Sequence, residues 1–446
     1  KYWEREGKWG LNGIWRVGDK KGTLFMKDLT KGSIIRLILA FALPVFIGNI
    51  LQLTYNLVDT KIVSQVLGEQ SLAAVGSTNS VNTLIIGFLN GLTNGFAVIA
   101  AQYFGAGNNK YLKRTVALSL SLGIIVSVVM TVFVLIFLMP LLRALNTPEN
   151  IIQESYDYIF IVFAGMTILM LYNVCCALLR AIGDAITPLI FLAVSVVLNI
   201  AGDYFFMVVV KLGVRGAAIS TVLAQLIAML LCVVYMFKRY EVLRFSGKDI
   251  VFEKSLISKM MASGCSMGLM GSLVSIGSVA LQTAINTFGT DIIVAHTAAR
   301  KVTELFMLSF SVLGTTMATF CGQNLGAGEI GRIKKGIKTA IGMAWIWCIG
   351  VIIVTNLFAP AMISMLTSST KTEVVDTASL YLRINTTLYF VTAMITIIRN
   401  SMQGIGDRVT PIISSMIELV GKVVIVIVLV PKLGYKIGRA SCRERV

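Results

Sequence analysis

Hydrophobic residues along this chain come in long unbroken runs instead of alternating with polar ones at the spacing of a surface helix. Such runs lie at about 34–58, 72–101, 115–139, 157–179, 187–210 and 214–237, and again at about 261–288, 292–320, 337–360, 378–398 and 411–430. Each is long enough to cross the ~30 Å hydrocarbon core of a bilayer, which takes ~20 residues of helix. In lipid every backbone N–H and C=O needs an internal partner, so Leu-, Ile-, Val- and Ala-rich runs of this length predict helices. The pattern predicts an all-α integral membrane protein.

The runs form two related sets. Gln102-Tyr-Phe-Gly-Ala-Gly107 returns as Gln323-Asn-Leu-Gly-Ala-Gly328, 221 residues later. Ile182-Gly-Asp-Ala-Ile-Thr-Pro188 returns as Ile405-Gly-Asp-Arg-Val-Thr-Pro411 after 223, and Lys211-Leu-Gly213 as Lys432-Leu-Gly434 after 221. A near-constant offset marks a duplicated six-helix unit. Twelve spans are expected and about eleven are present, the last being missing or replaced. The expected organisation is a non-native or upstream segment at 1–25, an N-terminal lobe at 26–237, a cytoplasmic linker at 238–260, a C-terminal lobe at 261–435 and a non-native tail at 436–446. Six spans per half return the chain to its starting side, so the lobes are expected to be related by an axis along the membrane normal.

Composition agrees with a membrane setting. The chain is 56% hydrophobic and 14% charged, with mean hydropathy +0.82. Its net charge of +17 would suit a nucleic-acid binder, but the basic residues sit in short loops between apolar runs, not on one face. That distribution follows the excess of Lys and Arg in cytoplasmic loops. With the start inside, sixteen loop cations fall on the inner side and six on the outer, so the N-terminus is expected in the cytoplasm. The seven cysteines lie mostly within apolar runs without metal-ligand spacing, and His296 is the sole histidine. A His-based metal site or catalytic triad is therefore not expected, and neither is a cofactor.

Ionisable groups inside a span cost ~2.5–3.5 kcal/mol on the lenient insertion scale, so each needs a reason. Asp59 lies near the end of the first run. Asn199 and Asp203 share one face of the fifth, and Thr221 lies in the sixth. Counted from the outer ends of their runs, the four sit at similar depth, ~10 Å inside at ~1.5 Å per residue. Two carboxylates meeting there cannot both stay ionised unless a proton or cation is shared. The plainer alternatives are an interfacial Asp59 paired with Lys61, and an isolated Asp203 bonded to Asn199. Arg300 with Glu304, and Glu418 with Lys422, have the spacing of neutralised ion pairs.

The stretch Pro44–Gly76, the two Gln-x-x-Gly-Ala-Gly motifs, the Gly-Asp-x-x-Thr-Pro loops and Leu198-Asn-Ile-Ala-Gly-Asp203 together resemble the multidrug and toxic compound extrusion (MATE) family, over about residues 27–435. The resemblance implies two six-helix lobes in a V around a central cavity. It also implies alternating access driven by H⁺ or Na⁺, and export of lipophilic organic cations by a monomer in a prokaryotic inner membrane. Carried over residue by residue, it makes Asp59, Asn199, Asp203 and Thr221 the cation-coupling group, with Na⁺ at Asp59, Asn199 and Asp203 as one option. It assigns Gln52 and Tyr55 to the substrate cavity and Pro44 to a bend in the first helix. One branch of the family carries acids in the seventh and tenth helices. The aligned stretches GSLVSIGSVALQ and YFVTAMITII have none, which points to the first lobe. A flippase for a lipid-linked precursor is the alternative within transport. No nucleophile–base constellation supports an enzyme.

Overall fold

The computed structural model describes residues 28–145, 147–285, 288–367, 372–424 and 426–427. The expected foreign segments at 1–25 and 436–446, and the stretch where a twelfth span is due, lie outside the described residues. The first half of the chain forms α1 (Ile34–Leu67), α2 (Glu69–Gly105), α3 (Asn109–Ala144), α4 (Glu149–Ala164), α5 (Met166–Ala181), α6 (Ile186–Tyr204) and α7 (Val214–Arg239). The second forms α8 (Lys254–Ile285), α9 (Thr290–Gly326), α10 (Ile330–Leu366), α11 (Thr372–Thr387), α12 (Tyr389–Gly404) and α13 (Thr410–Val424). Eight of these are long and apolar enough to cross a membrane. The protein is an all-α integral membrane protein.

Two predicted spans are bent. The run at 157–179 is α4 and α5, which meet at 47°, and the run at 378–398 is α11 and α12, which meet at 51°. Hydropathy does not register a bend, because both arms are apolar. The breaks fall at Gly165 and Leu388, again 223 residues apart, so the duplication extends to backbone shape. At Gly165 a side chain would collide with Val222, its Cβ only 2.6 Å from Val222 Cγ2; glycine lets α7 cross at the bend.

The cores of the two halves exchange one helix arm each. Leu256 and Met260, at the start of α8, are buried in the core built by α2–α5 and α7. Ile38, Phe41 and Ala42, at the start of α1, are buried with Phe310, Leu313 and Phe320 of α9 and Tyr389 of α12. A lobe boundary drawn at the linker misses this, since each arm is apolar enough for either core. Pro44 sits where α1 passes between the lobes. Beyond it, Gly48 packs on Leu189 and Leu192 of α6, and Val63 joins Met207 and Ala217.

The halves make their most extensive contact along α2 and α8. A Cβ on Gly91 would lie 2.4 Å from Gly268 Cα, and one on Gly95 2.4 Å from Gly264 Cα. Small residues let backbones approach in this way, where van der Waals packing rather than hydrophobicity drives helix association. The repeated motifs close the same end of the bundle. Gln102 Nε2 donates to Gly404 O at 2.9 Å, and Gln323 Nε2 donates to Ala181 O at 2.7 Å. Gln323 Oε1 accepts from Leu29 N at 3.0 Å. Each glutamine side chain thus caps a helix end of the opposite half.

The repeated Gly-Asp loops differ in burial. Asp184 is fully buried and accepts from Ile186 N, Thr187 N, Thr187 Oγ1 and Tyr240 Oη. Asp407 accepts from Val409 N and Thr410 N, and the Thr410 hydroxyl beside it holds its carboxyl below the usual range. Asp184→Ala strands several buried donors, each worth about 1–3 kcal/mol. Asp407→Ala removes an exposed cap worth about 1 kcal/mol. Thermal unfolding in detergent is expected to show a clearly larger fall in Tm for Asp184→Ala; equal falls would refute this reading of the buried loop.

Candidate functional site

Asp59 and Tyr55 reach the site from α1, Asn199 and Asp203 from α6, and Thr221 from α7. The carboxyl groups of Asp59 and Asp203 lie close enough to interact directly. Asp203 is fully buried and Asn199 nearly so. With the Asn199 amide nitrogen turned toward the acid, Nδ2 donates to Asp203 Oδ2 at 3.0 Å, and Oδ1 accepts from Thr221 Oγ1 at 3.2 Å. Tyr55 Oη lies 3.5 Å from Thr221 Oγ1. The structure therefore brings together the four residues read as the coupling group, with Tyr55 at their edge.

Gln52 stands apart. It is exposed and donates to Asn56 Oδ1 at 3.3 Å, two helical turns before Asp59. Together Gln52, Asn56 and Thr60 form a polar stripe at helical spacing, with Thr60 Oγ1 donating to Asn56 O at 2.6 Å. Pro44 is buried inside a continuous α1. It has no N–H for Ala40 O, which leaves one rung of the helix open.

Two participants were not legible beforehand. Ser220 donates from α7 to Asp203 Oδ1; it precedes Thr221, and a serine in an apolar run carries no distinguishing signal. Tyr158 from α4 lies within electrostatic reach of Asp59, Tyr55 and Asp203. It was hidden because the bend at Gly165 re-aims α4. A π-helical turn, Phe205–Val209, begins two residues after Asp203, and such turns occur often at functional positions.

The chemistry of this group is narrow. Two unit charges ~4 Å apart repel by about 4 kcal/mol at an effective dielectric of ~20. Two ionised acids in contact are therefore stable only with a proton or cation between them. Asp59 Oδ1 is buried without a donor among the described residues. The donors available are carboxylate, amide and hydroxyl oxygens, hard ligands that suit H⁺ or Na⁺ and not a thiophilic metal.

The second half differs at the corresponding place. Counted from the Pro188/Pro411 motif, at an offset of 223, Asn199 corresponds to Lys422. Its Nζ pairs with Glu418 Oε1 at 2.8 Å, and Arg399 Nη1 pairs with Glu418 Oε2 at 2.7 Å. The expected pair is thus a triad with net positive charge, because Arg399 comes in from α12. Arg300 and Glu304 form the expected pair at 3.1 Å, and His296 packs edge-on against Tyr381.

The sequence model of the MatE family matches residues 44–205 and again 266–428, one copy per half. The chain belongs to the MatE family. Among its MatE relatives, the probable multidrug resistance protein YoeA of Bacillus subtilis is 29% identical over 408 residues, 89% of this chain and 87% of that one. The probable multidrug resistance protein YpnP of the same organism is 31% identical over 313 residues, 69% of this chain and 68% of that one. A solved structure described as the outward-facing conformation of a multidrug resistance MATE family transporter of the MOP superfamily superimposes with a TM-score of 0.82 at 23% identity. It covers 96% of this chain and 99% of that one, a likeness of fold. MatE proteins are transporters, and the many apolar spans put this one in a cell membrane.

Proposed function

We propose that this MatE protein is a secondary antiporter that exports lipophilic small organic molecules, organic cations among them, in exchange for H⁺ or Na⁺. The observation that carries the reading is the close approach of Asp59 to the buried Asp203, with one Asp59 oxygen lacking any donor among the described residues. A carboxylate pair that needs a mobile cation, placed on a helix joining both lobes, supplies a coupling device. The relatives' names, probable multidrug resistance proteins, support drug-like small molecules as cargo.

The geometry supports the following cycle. With the N-terminus in the cytoplasm, the end sealed by Gln102 and Gln323 is cytoplasmic and the described state faces outward. A proton or Na⁺ enters from outside and joins Asp59 to Asp203, relieving their repulsion. The part of α1 beyond Pro44 shifts against α6 and α7, while the part before it stays anchored on α9. The open rung at Ala40 keeps this bend cheap. The first-lobe wall moves and cargo is released. After the seal opens inward, the cation leaves and new cargo binds. Lys422 keeps a fixed ammonium at the matching place in the second lobe, so that lobe responds less to external cations. The protein works as a monomer in a prokaryotic inner membrane.

Ethidium efflux from proteoliposomes, with pH and Na⁺ gradients imposed separately, tests this directly. One gradient is expected to drive uphill efflux and its collapse to stop it. Efflux indifferent to both gradients would rule out antiport.

A further inference from the structure

A second polar feature lies away from the carboxylate pair. Above the glutamine seal, a cavity of about 40 Å³ opens between the halves, lined by Asn94, Arg180, Thr315, Thr319 and Asn400 among apolar neighbours. Asn94 and Thr315 are repeat partners, as are Val98 and Thr319, so the cavity lies on the pseudo-twofold axis. Both members of the first pair are eight residues from the sealing glutamines, ~12 Å along the helix.

Arg180 breaks the symmetry, its repeat partner being the neutral Gln403. It is half-buried. Among the described residues no carboxylate lies within ion-pair distance of Arg180, and its guanidinium makes no hydrogen bond. The acid nearest in sequence, Asp184, already holds Ile186, Thr187 and Tyr240. The Asn94 amide likewise makes no hydrogen bond among the described residues. Arginine cannot shed its proton. A half-buried guanidinium that lines a cavity without a counter-charge keeps its donors free for an anionic group. Its planar fork matches the two oxygens of an acid group.

We propose that this cavity is an anion-accepting subsite of the transport path, taking one carboxylate, sulfonate or phosphate group of an otherwise lipophilic cargo. The inference rests on the cleft being the transport path. Its size admits one acid group and not the body of a drug-sized molecule, which needs about 300 Å³ or more. The cargo that satisfies the site is an amphiphile, zwitterions included, with its acid at Arg180 and its apolar body in the cleft above. An organic cation without an acid group gains nothing at this point.

The test is equilibrium binding to purified protein in detergent, without any gradient, of rhodamine B and its ethyl ester, which differ by one free carboxylate. Wild type is expected to prefer the free acid at least fivefold. Arg180→Gln should abolish that preference by weakening acid binding, and Arg180→Lys should restore part of it. Inorganic phosphate at millimolar concentration should displace the acid and spare the ester. Absence of preference in wild type overturns the proposal, as does an equal loss of both dyes in Arg180→Gln from a protein that elutes as a single species. Phosphate binding that leaves rhodamine B in place would make this a site for a free anion, and would overturn the assignment to cargo. Antiport itself is judged by gradient-driven ethidium efflux, so each idea can fail without the other.

Discussion

Proteoliposomes carrying Asp203→Asn are expected to lose gradient-driven ethidium export at least tenfold, with Asp59→Asn behaving alike. Each exchange keeps the shape of the side chain and removes one of two charges in contact. A single carboxylate beside an amide no longer has the repulsion that a cation relieves, so the gradient loses its grip on α1. Coupling free energies of about 1–3 kcal/mol correspond to about 5–150-fold effects, and removing the coupling forfeits that range. Membrane insertion and thermal stability should hold, because a buried amide costs less than a buried charge. Undiminished export from either variant would remove the pair from the mechanism.

Gly95→Leu should be nearly as damaging for a different reason. The missing Cβ would sit 2.4 Å from Gly264 Cα, against backbone that has nowhere to move. Any side chain there wedges α2 from α8 and disfavours the state in which the halves touch. Export is expected to fall at least tenfold while cation binding at Asp59 and Asp203 persists, since those residues lie on α1 and α6. Loss of both together would mean that the lobe has unfolded; export at the wild-type rate would mean that the α2–α8 approach is not needed for the cycle.

Spans and duplication were legible in the sequence because both depend on features that survive averaging: run length and a fixed offset. Bends were not. Gly165 looks like any glycine in an apolar run, and only the crossing of Val222 shows why it is required. The exchange of the α1 and α8 arms was hidden as well, since Phe41 and Met260 are equally at home in either core.

Within the site, the acids declared themselves because a charge in a span demands an explanation. Depth counting then placed Asp59, Asn199, Asp203 and Thr221 together. Ser220 and Tyr158 carry no such cost and were passed over. Lys422 was read only as a partner of Glu418. Arg399, from the preceding helix and off the i,i+4 spacing, makes the group net positive. Gln102 and Gln323 were visible as repeated letters. Their role as caps on the opposite half depends on carbonyls at Gly404 and Ala181 that only the packed bundle brings near.

Cargo and cation must oppose one another at equilibrium, and linkage makes that opposition reciprocal. The most direct measurement is cation release when ethidium binds to purified protein, read as H⁺ in weakly buffered solution and as radiolabelled Na⁺. Wild type should release about one cation per ethidium bound, and Asp203→Asn none. Release of the same size from Asp203→Asn, or none from wild type, would contradict a carboxylate pair that trades its cation for cargo.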